Sequence, residues 1–294
     1  MLNIATIVIP TFFIILIGYI FGKKTKADIS SLIDIGFYIG VPALVFVSML
    51  DKQIVLLDAG KVWAAAILIT FGCGIVAWIV FTILRQKHSG LYLPITMMNT
   101  VNIPFPIIFL AYGSEGLLAA TLFFIPGVLL MFTVGSFIAA GKQWKESIKE
   151  VFKQPTIYAA IAGLLLNLFG VTVPELIVRS LNLVGMLAIP LVLILLGYSL
   201  TKISITSLRT TLLASFLRVG VGLLFGLLAV NIFNLTGVLR AVVILDSAMP
   251  AAVLVSMLTT KYRNEAELVS GVVFITTIAS LAIIPFLLYM LSGP

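Results

Sequence analysis

The chain of 294 residues holds one cysteine, Cys73, and one histidine, His88, and only 10% of its residues are charged. A single cysteine excludes an internal disulfide, and one histidine and one cysteine form no metal-ligand cluster in the sequence. Cys73, flanked by Gly72 and Gly74, is expected to be a small packing residue. No nucleophile and base pair and no closely spaced carboxylates lie within apolar sequence, so catalysis is not expected. A basic soluble face is missing, which excludes nucleic acid as a partner. Strands of alternating polarity, as in outer-membrane barrels, are missing too.

What fills the chain is apolar: 61% of residues are hydrophobic and the mean hydropathy is +1.23. That composition defines an all-α integral membrane protein, because short connections leave the helical bundle as the spanning solution that satisfies its backbone. A membrane helix needs about 20 apolar residues. Ten runs of that kind, at 3–22, 32–50, 61–84, 91–111, 116–140, 155–173, 176–200, 209–232, 238–258 and 266–291, predict ten spans in one domain over residues 1–294. The first run lacks a basic leader and is too long for a cleaved signal peptide, so it is expected to remain as span 1.

Lys and Arg favour one set of connections. Thirteen fall there (Lys23, Lys24, Lys26, Arg85, Lys87, Lys142, Lys145, Lys149, Lys153, Lys202, Arg209, Lys261, Arg263) against four opposite (Lys52, Lys61, Arg179, Arg240). The bias predicts both termini outside, in a multi-pass protein of the plasma membrane. The segment carrying Lys142, Lys145, Glu146, Lys149, Glu150 and Lys153 has opposite charges at helical spacing and predicts a short amphipathic cytoplasmic helix.

The two halves match. At an offset near 148, Pro42 pairs with Pro190 and Lys61 with Arg209, while Tyr112 and Glu115 pair with Tyr262 and Glu265 at 150. Repeats of about 1–141 and 155–294 follow, and five spans in each make them inverted, which supplies two related conformations for alternating access.

Spans 4 and 9 are polar and proline-bearing in mid-membrane. The first reads Asn99-Thr100-Val101-Asn102-Ile103-Pro104, the second Asp246-Ser247-Ala248-Met249-Pro250. Proline removes a donor and clashes with the preceding turn, and freed carbonyls in lipid cost several kcal/mol unless they line a cavity. Crossed broken helices are expected, with half-helix N-termini favouring anions and freed carbonyls favouring cations. A simple proline kink is the alternative, but it leaves the polar neighbours unexplained.

Lys153-Gln-Pro155-Thr-Ile-Tyr158 through Gly163, the run Asn99 to Pro104, Ala248-Met-Pro250, Lys261-Tyr262 and Gly271-Val-Val-Phe274 together resemble the auxin efflux carrier family. The likeness covers nearly the whole chain, and the short connection between spans 5 and 6 resembles the compact microbial members. The resemblance implies a scaffold of spans 1, 2, 6 and 7, a mobile part of spans 3–5 and 8–10, and an elevator-type cycle. It also implies an organic anion as substrate, a carboxylate or auxin-like acid, and a homodimer in the bilayer. The resemblance carries substrate contacts onto Asn102, Pro104 and Pro250, and the polar residues beside the breaks add Asn99, Thr100 and Ser247. At the second crossing Asp246-Ser247 stands where the family places an Asn, which suggests a proton or cation partner.

Arg218, ten residues into span 8, either neutralises an anionic substrate or pairs with Asp246, or it snorkels toward the surface. Asp246 is the one carboxylate well inside a span and the candidate for coupling to H+ or Na+; no cofactor is called for. Glu115 and Glu265 are expected to begin spans 5 and 10. Tyr112 and Tyr262 are expected as interfacial anchors, and Asp34, Asp51 and Lys61 as surface-zone residues. Gly220, Gly222 and Gly226 give small-residue spacing for close helix packing. An ion channel is the nearest rival to a carrier, and a proton- or cation-coupled symporter or antiporter of another solute is the alternative within the carrier class.

Overall fold

A computed structural model describes residues 4–25, 27–140, 152–201 and 206–291, so the amphipathic segment expected around residues 142–150 lies outside the described residues. The helices are α1 (Ile4–Lys24), α2 (Ser30–Leu50), α3 (Leu56–Ile83), α4 (Tyr92–Thr96), α5 (Pro104–Ala140), α6 (Pro155–Leu168), α7 (Glu175–Leu200), α8 (Leu208–Ile232), α9 (Gly237–Ser247), α10 (Val253–Tyr262) and α11 (Ala266–Leu291). Among the described residues the sole β pairing is one isolated bridge.

Seven of the helices, α1, α2, α3, α5, α7, α8 and α11, are long and apolar enough to cross a membrane. Large apolar side chains such as Ile9, Trp78, Ile83, Leu183 and Phe286 stand exposed on their outer faces. In water that surface would drive aggregation, whereas lipid tails are as apolar as the side chains themselves.

The helices pack in two groups. α1 lies along α7, and α2 packs on α6 and α7. Gly18 meets the Ile194 carbonyl and Gly197 the Ile15 carbonyl, so a methyl at either would strike the backbone of the facing helix. In the second group α8 packs on α3, α9 and α11, α5 on α3 and α9, and α10 on α11. The groups touch mainly through α1 and α2 against α5 and α1 against α11, with α6 and α7 also reaching α5.

α3 starts earlier than the expected run, at Leu56 rather than 61, and α10 runs on to Tyr262 rather than 258. The expected gap over 112–115 between spans 4 and 5 falls inside α5 as a kink at Gly113 (φ 64°, ψ −151°), a conformation open mainly to glycine, where two helices meet. α6 stops at Leu168, short of 173, because Gly170 takes φ 64° and closes its end.

The ends of α3 and α8 are built alike. Leu84 N–H donates to Val80, Arg85 to Thr82 and Gln86 to Phe81; 149 residues on, Phe233 donates to Ala229, Asn234 to Asn231 and Leu235 to Val230. Arg85 and Asn234 both take positive φ (54° and 50°), as do Gly113 and Arg263 (64° and 53°), 150 residues apart.

Candidate functional site

The fourth and ninth apolar runs are each two helices joined by a short non-helical linker. Residues 97–103 separate α4 from α5, and residues 248–252 separate α9 from α10. The linkers meet as an antiparallel pair centred on Met98 and Ala251. Asn99 N–H donates to the Pro250 carbonyl at 2.8 Å and Ala252 N–H to the Met97 carbonyl at 3.0 Å. A membrane interior offers no water to these groups, so each break is the partner that makes the other tolerable.

Proline marks the edges of the breaks. Pro104 is the first residue of α5, where a missing N–H loses no intrahelical bond. Pro250 sits in its linker, and its carbonyl is the one that receives Asn99 N–H.

Asn99 organises the first break from within. Its Oδ1 accepts from Asn102 N–H at 2.9 Å and from Val101 N–H at 3.4 Å, an Asx turn that satisfies donors ahead of α5. Its Nδ2 is buried without a partner. Thr100 is buried and lies against Gly127 farther along α5, while Asn102 stays partly open. The second linker has no polar side chain of its own, and Thr276 on α11 serves it. Thr276 Oγ1 accepts Ala251 N–H at 3.1 Å while donating to Val272 O at 2.7 Å.

Arg218 neither snorkels nor contacts Asp246. It is fully buried, and its guanidinium binds the last carbonyls of both first half-helices. Nη1 donates to Ile95 O at 3.0 Å and to Thr96 O at 3.4 Å at the end of α4, and Nη2 donates to Ser247 O at 2.7 Å at the end of α9. Gly222 and Gly226 on α8 leave the room for this: a methyl at Gly222 would collide with Arg218 Nη2 and Ser247 O, and one at Gly226 with the Ser247 side chain. The Ser247 hydroxyl is turned back to Ile244 O at 2.7 Å. Asp246 is wholly buried, and neither carboxylate oxygen has a hydrogen-bond partner.

The paired glutamates stand at the starts of the last helical segment in each half, but their side chains are used on neighbouring loops. Glu265 Oε1 pairs with His88 Nδ1 at 2.6 Å and Oε2 accepts Gly90 N–H at 2.7 Å, which ties the loop entering α4 to the start of α11. Glu115 pairs with Lys52 at 2.7 Å, both half exposed. The Tyr112 hydroxyl is enclosed and unpartnered, whereas Lys261 lies over the Tyr262 ring. Asp34 and Asp51 are exposed, and Lys61 pairs with Asp58 at 3.5 Å. Cys73 is buried. Among the described residues no group of three or more His, Cys, Asp or Glu could hold a metal.

Thr276, Asn167 and His88 are the residues that sequence reasoning passed over or left in a loop. Asn167, on α6, donates from Nδ2 to the carbonyls of Met49 and Lys52 and accepts Ile54 N–H on Oδ1, clasping the connection between α2 and α3. The available signals were an amide and a threonine pair, Thr276-Thr277, deep in apolar sequence.

A lipid-facing helical bundle built around two interrupted helices that meet in mid-bundle defines a membrane transport protein. The chain belongs to the membrane transport protein family, of the auxin efflux carrier type, whose model matches it at residues 3–153 and again at residues 144–288. It is 27% identical over 295 residues to an uncharacterized transporter of Methanocaldococcus jannaschii, covering 95% of this chain and 96% of that protein. It is also 27% identical over 296 residues to an uncharacterized transporter of Methanothermobacter thermautotrophicus, covering 95% of each.

Proposed function

We propose that this transporter is a secondary carrier of a small organic anion, a carboxylate or auxin-like acid, working by elevator-type alternating access. The observation that carries the reading is the crossing itself: two breaks joined by paired backbone bonds, a wholly buried arginine that touches no carboxylate, and an unpartnered Asn99 Nδ2. The N-terminal ends of α5 and α10 favour negative charge on the solute.

In this reading ten spans form two inverted five-helix repeats. The matched ends of α3 and α8, the matched positive φ values and the double family match support it. Spans 1, 2, 6 and 7 are the scaffold and spans 3–5 and 8–10 the moving part, a division supported by the two packing groups. The protein sits in the plasma membrane as a homodimer with both termini outside. Asn99, Thr100, Asn102, Pro104, Ser247 and Pro250 form the substrate site, with Ser247 and the prolines acting through the backbone they shape. Asp246, buried and without a partner, carries the coupling proton or sodium ion.

Thermal-shift screening of mono- and dicarboxylates, with and without sodium at two pH values, identifies an acid that stabilises the folded state. Uptake of that acid into liposomes should saturate and show counterflow; single-channel currents would instead make the protein a channel. Asn102→Ala should abolish binding and leave the protein folded, and unchanged affinity would remove the crossing as the site. Asp246→Asn should keep exchange of the acid but lose its dependence on the pH or sodium gradient.

A further inference from the structure

The first half-helices of both breaks, α4 and α9, end at one point, and three of their last carbonyls converge on Arg218: Ile95 O and Thr96 O from one side, Ser247 O from the other. A helix C-terminus carries up to about half a negative charge, so the two ends together call for roughly one positive charge. Converging backbone carbonyls at broken-helix C-termini are also what a partly dehydrated monovalent cation binds in transporters. Here one guanidinium supplies that charge from within the chain.

We infer that Arg218 is a built-in cation: it occupies, by covalent attachment to α8, a carbonyl site that would otherwise take a free monovalent cation, and removing its side chain turns that place into a cation-binding site. The geometry is fitted to the group. Gly222 leaves space for Nη2 one helical turn along from Arg218, and the planar fork reaches both helix ends at once, which a single ammonium would do less well. Among the described residues no ion pair is formed by Arg218, so the carbonyls are its whole complement apart from an unused Nε–H. The negative ends of α4 and α9 are therefore balanced from within the chain throughout a transport cycle, and this junction takes no free cation. Any coupling ion must act elsewhere, with Asp246 as the free carboxylate. This holds whichever solute is carried.

The test is a melting experiment on the purified full-length protein in choline chloride, with sodium chloride or low-millimolar guanidinium exchanged in at matched ionic strength. With Asp246→Asn in every arm, so that the proposed coupling carboxylate cannot bind sodium, the protein that keeps Arg218 should melt at the same temperature in all three. Arg218→Ala should melt roughly 10 °C lower in choline, as expected when a buried charged network loses a partner. Guanidinium should restore most of that loss saturably, and sodium part of it. Saturable stabilisation by sodium of the Asp246→Asn protein that keeps Arg218 would overturn the inference, and so would an Arg218→Ala protein blind to both cations. If Arg218→Ala cannot be obtained folded, Arg218→Lys and Arg218→Met decide. The lysine variant should purify and remain insensitive to added cations. A methionine variant as stable as the lysine one would show that charge at this point is not what the carbonyls require.

Discussion

The two breaks make the same crossing by different means. The first, residues 97–103, carries its own polar group: Asn99 folds back on Val101 and Asn102, and two prolines at 104 and 106 start α5 with few donors left over. The second, residues 248–252, is Ala, Met, Pro, Ala and Ala: Ala248 and Met249 N–H close on the end of α9, and the side chain that serves the rest, Thr276, is on loan from α11. Satisfying a break locally or by loan gives the same geometry but different sensitivity. A locally satisfied break depends on one side chain, and a loaned one depends on how closely its neighbours approach.

The approach of α8 is therefore where the comparison can be broken most sharply. Gly226→Ala places a methyl into the Ser247 side chain at the second break, and overpacking of this kind costs about 1–3 kcal/mol. Gly127→Ala, the equivalent intrusion at the first break, meets Thr100 at 3.8 Å, an ordinary contact. There the helical preference for alanine should leave stability unchanged or raise it by about 0.5 kcal/mol. Thermal unfolding of both variants in detergent checks this, and equal losses would mean that the breaks are equally enclosed.

Next in size are the side chains that satisfy each break. Asn99→Ala leaves two N–H groups without an acceptor and should cost about 2 kcal/mol, whereas Thr276→Val keeps the shape, strands only Ala251 N–H and should cost about 1 kcal/mol. Urea titration, or heat unfolding where urea is incompatible with the detergent, ranks the two. A larger loss at Thr276 would make the second break the more dependent on a single group.

These differences explain what was legible in advance. The positions of both breaks follow from proline beside amide or acid in apolar sequence, and Asn99 and Asp246 were visible because such groups are expensive in lipid. The partners of Arg218 were not visible, because they are backbone carbonyls that any residue supplies; Ile95, Thr96 and Ser247 carry no mark of the task. Thr276 was hidden for another reason. A threonine in a membrane helix ordinarily bonds its own preceding turn, as Thr277 does with Val273, and only its second lone pair serves the neighbouring chain. The gap between spans 4 and 5 at 112–115 was placed correctly along the chain, but that a single residue, Gly113, makes the kink between the two helices was not visible, because it looks in sequence like any short loop.

The smallest effect separates the two matched glutamates. Glu265 is held by His88 and by Gly90 N–H at side-chain exposures of 20% and 23% for the pair, and it fixes the loop from which α4 departs. Because α4 is only five residues long, it contributes little helical cooperativity of its own and depends on anchorage at both ends, Glu265 at its entry and Arg218 at its exit. Glu115 and Lys52 are 51% and 52% exposed, and an ion pair in that setting is screened and entropically costly. Glu265→Gln should therefore lose about 1 kcal/mol, and Glu115→Gln no more than about 0.5 kcal/mol, both read from unfolding midpoints. A double variant with Asn99→Ala sharpens the point. Glu265→Gln should cost more on that background than alone, because the chain on each side of α4 is then loosened together, while Glu115→Gln should simply add. Additivity for both glutamates would mean that α4 is held by its packing on α3 and α8 rather than by its ends.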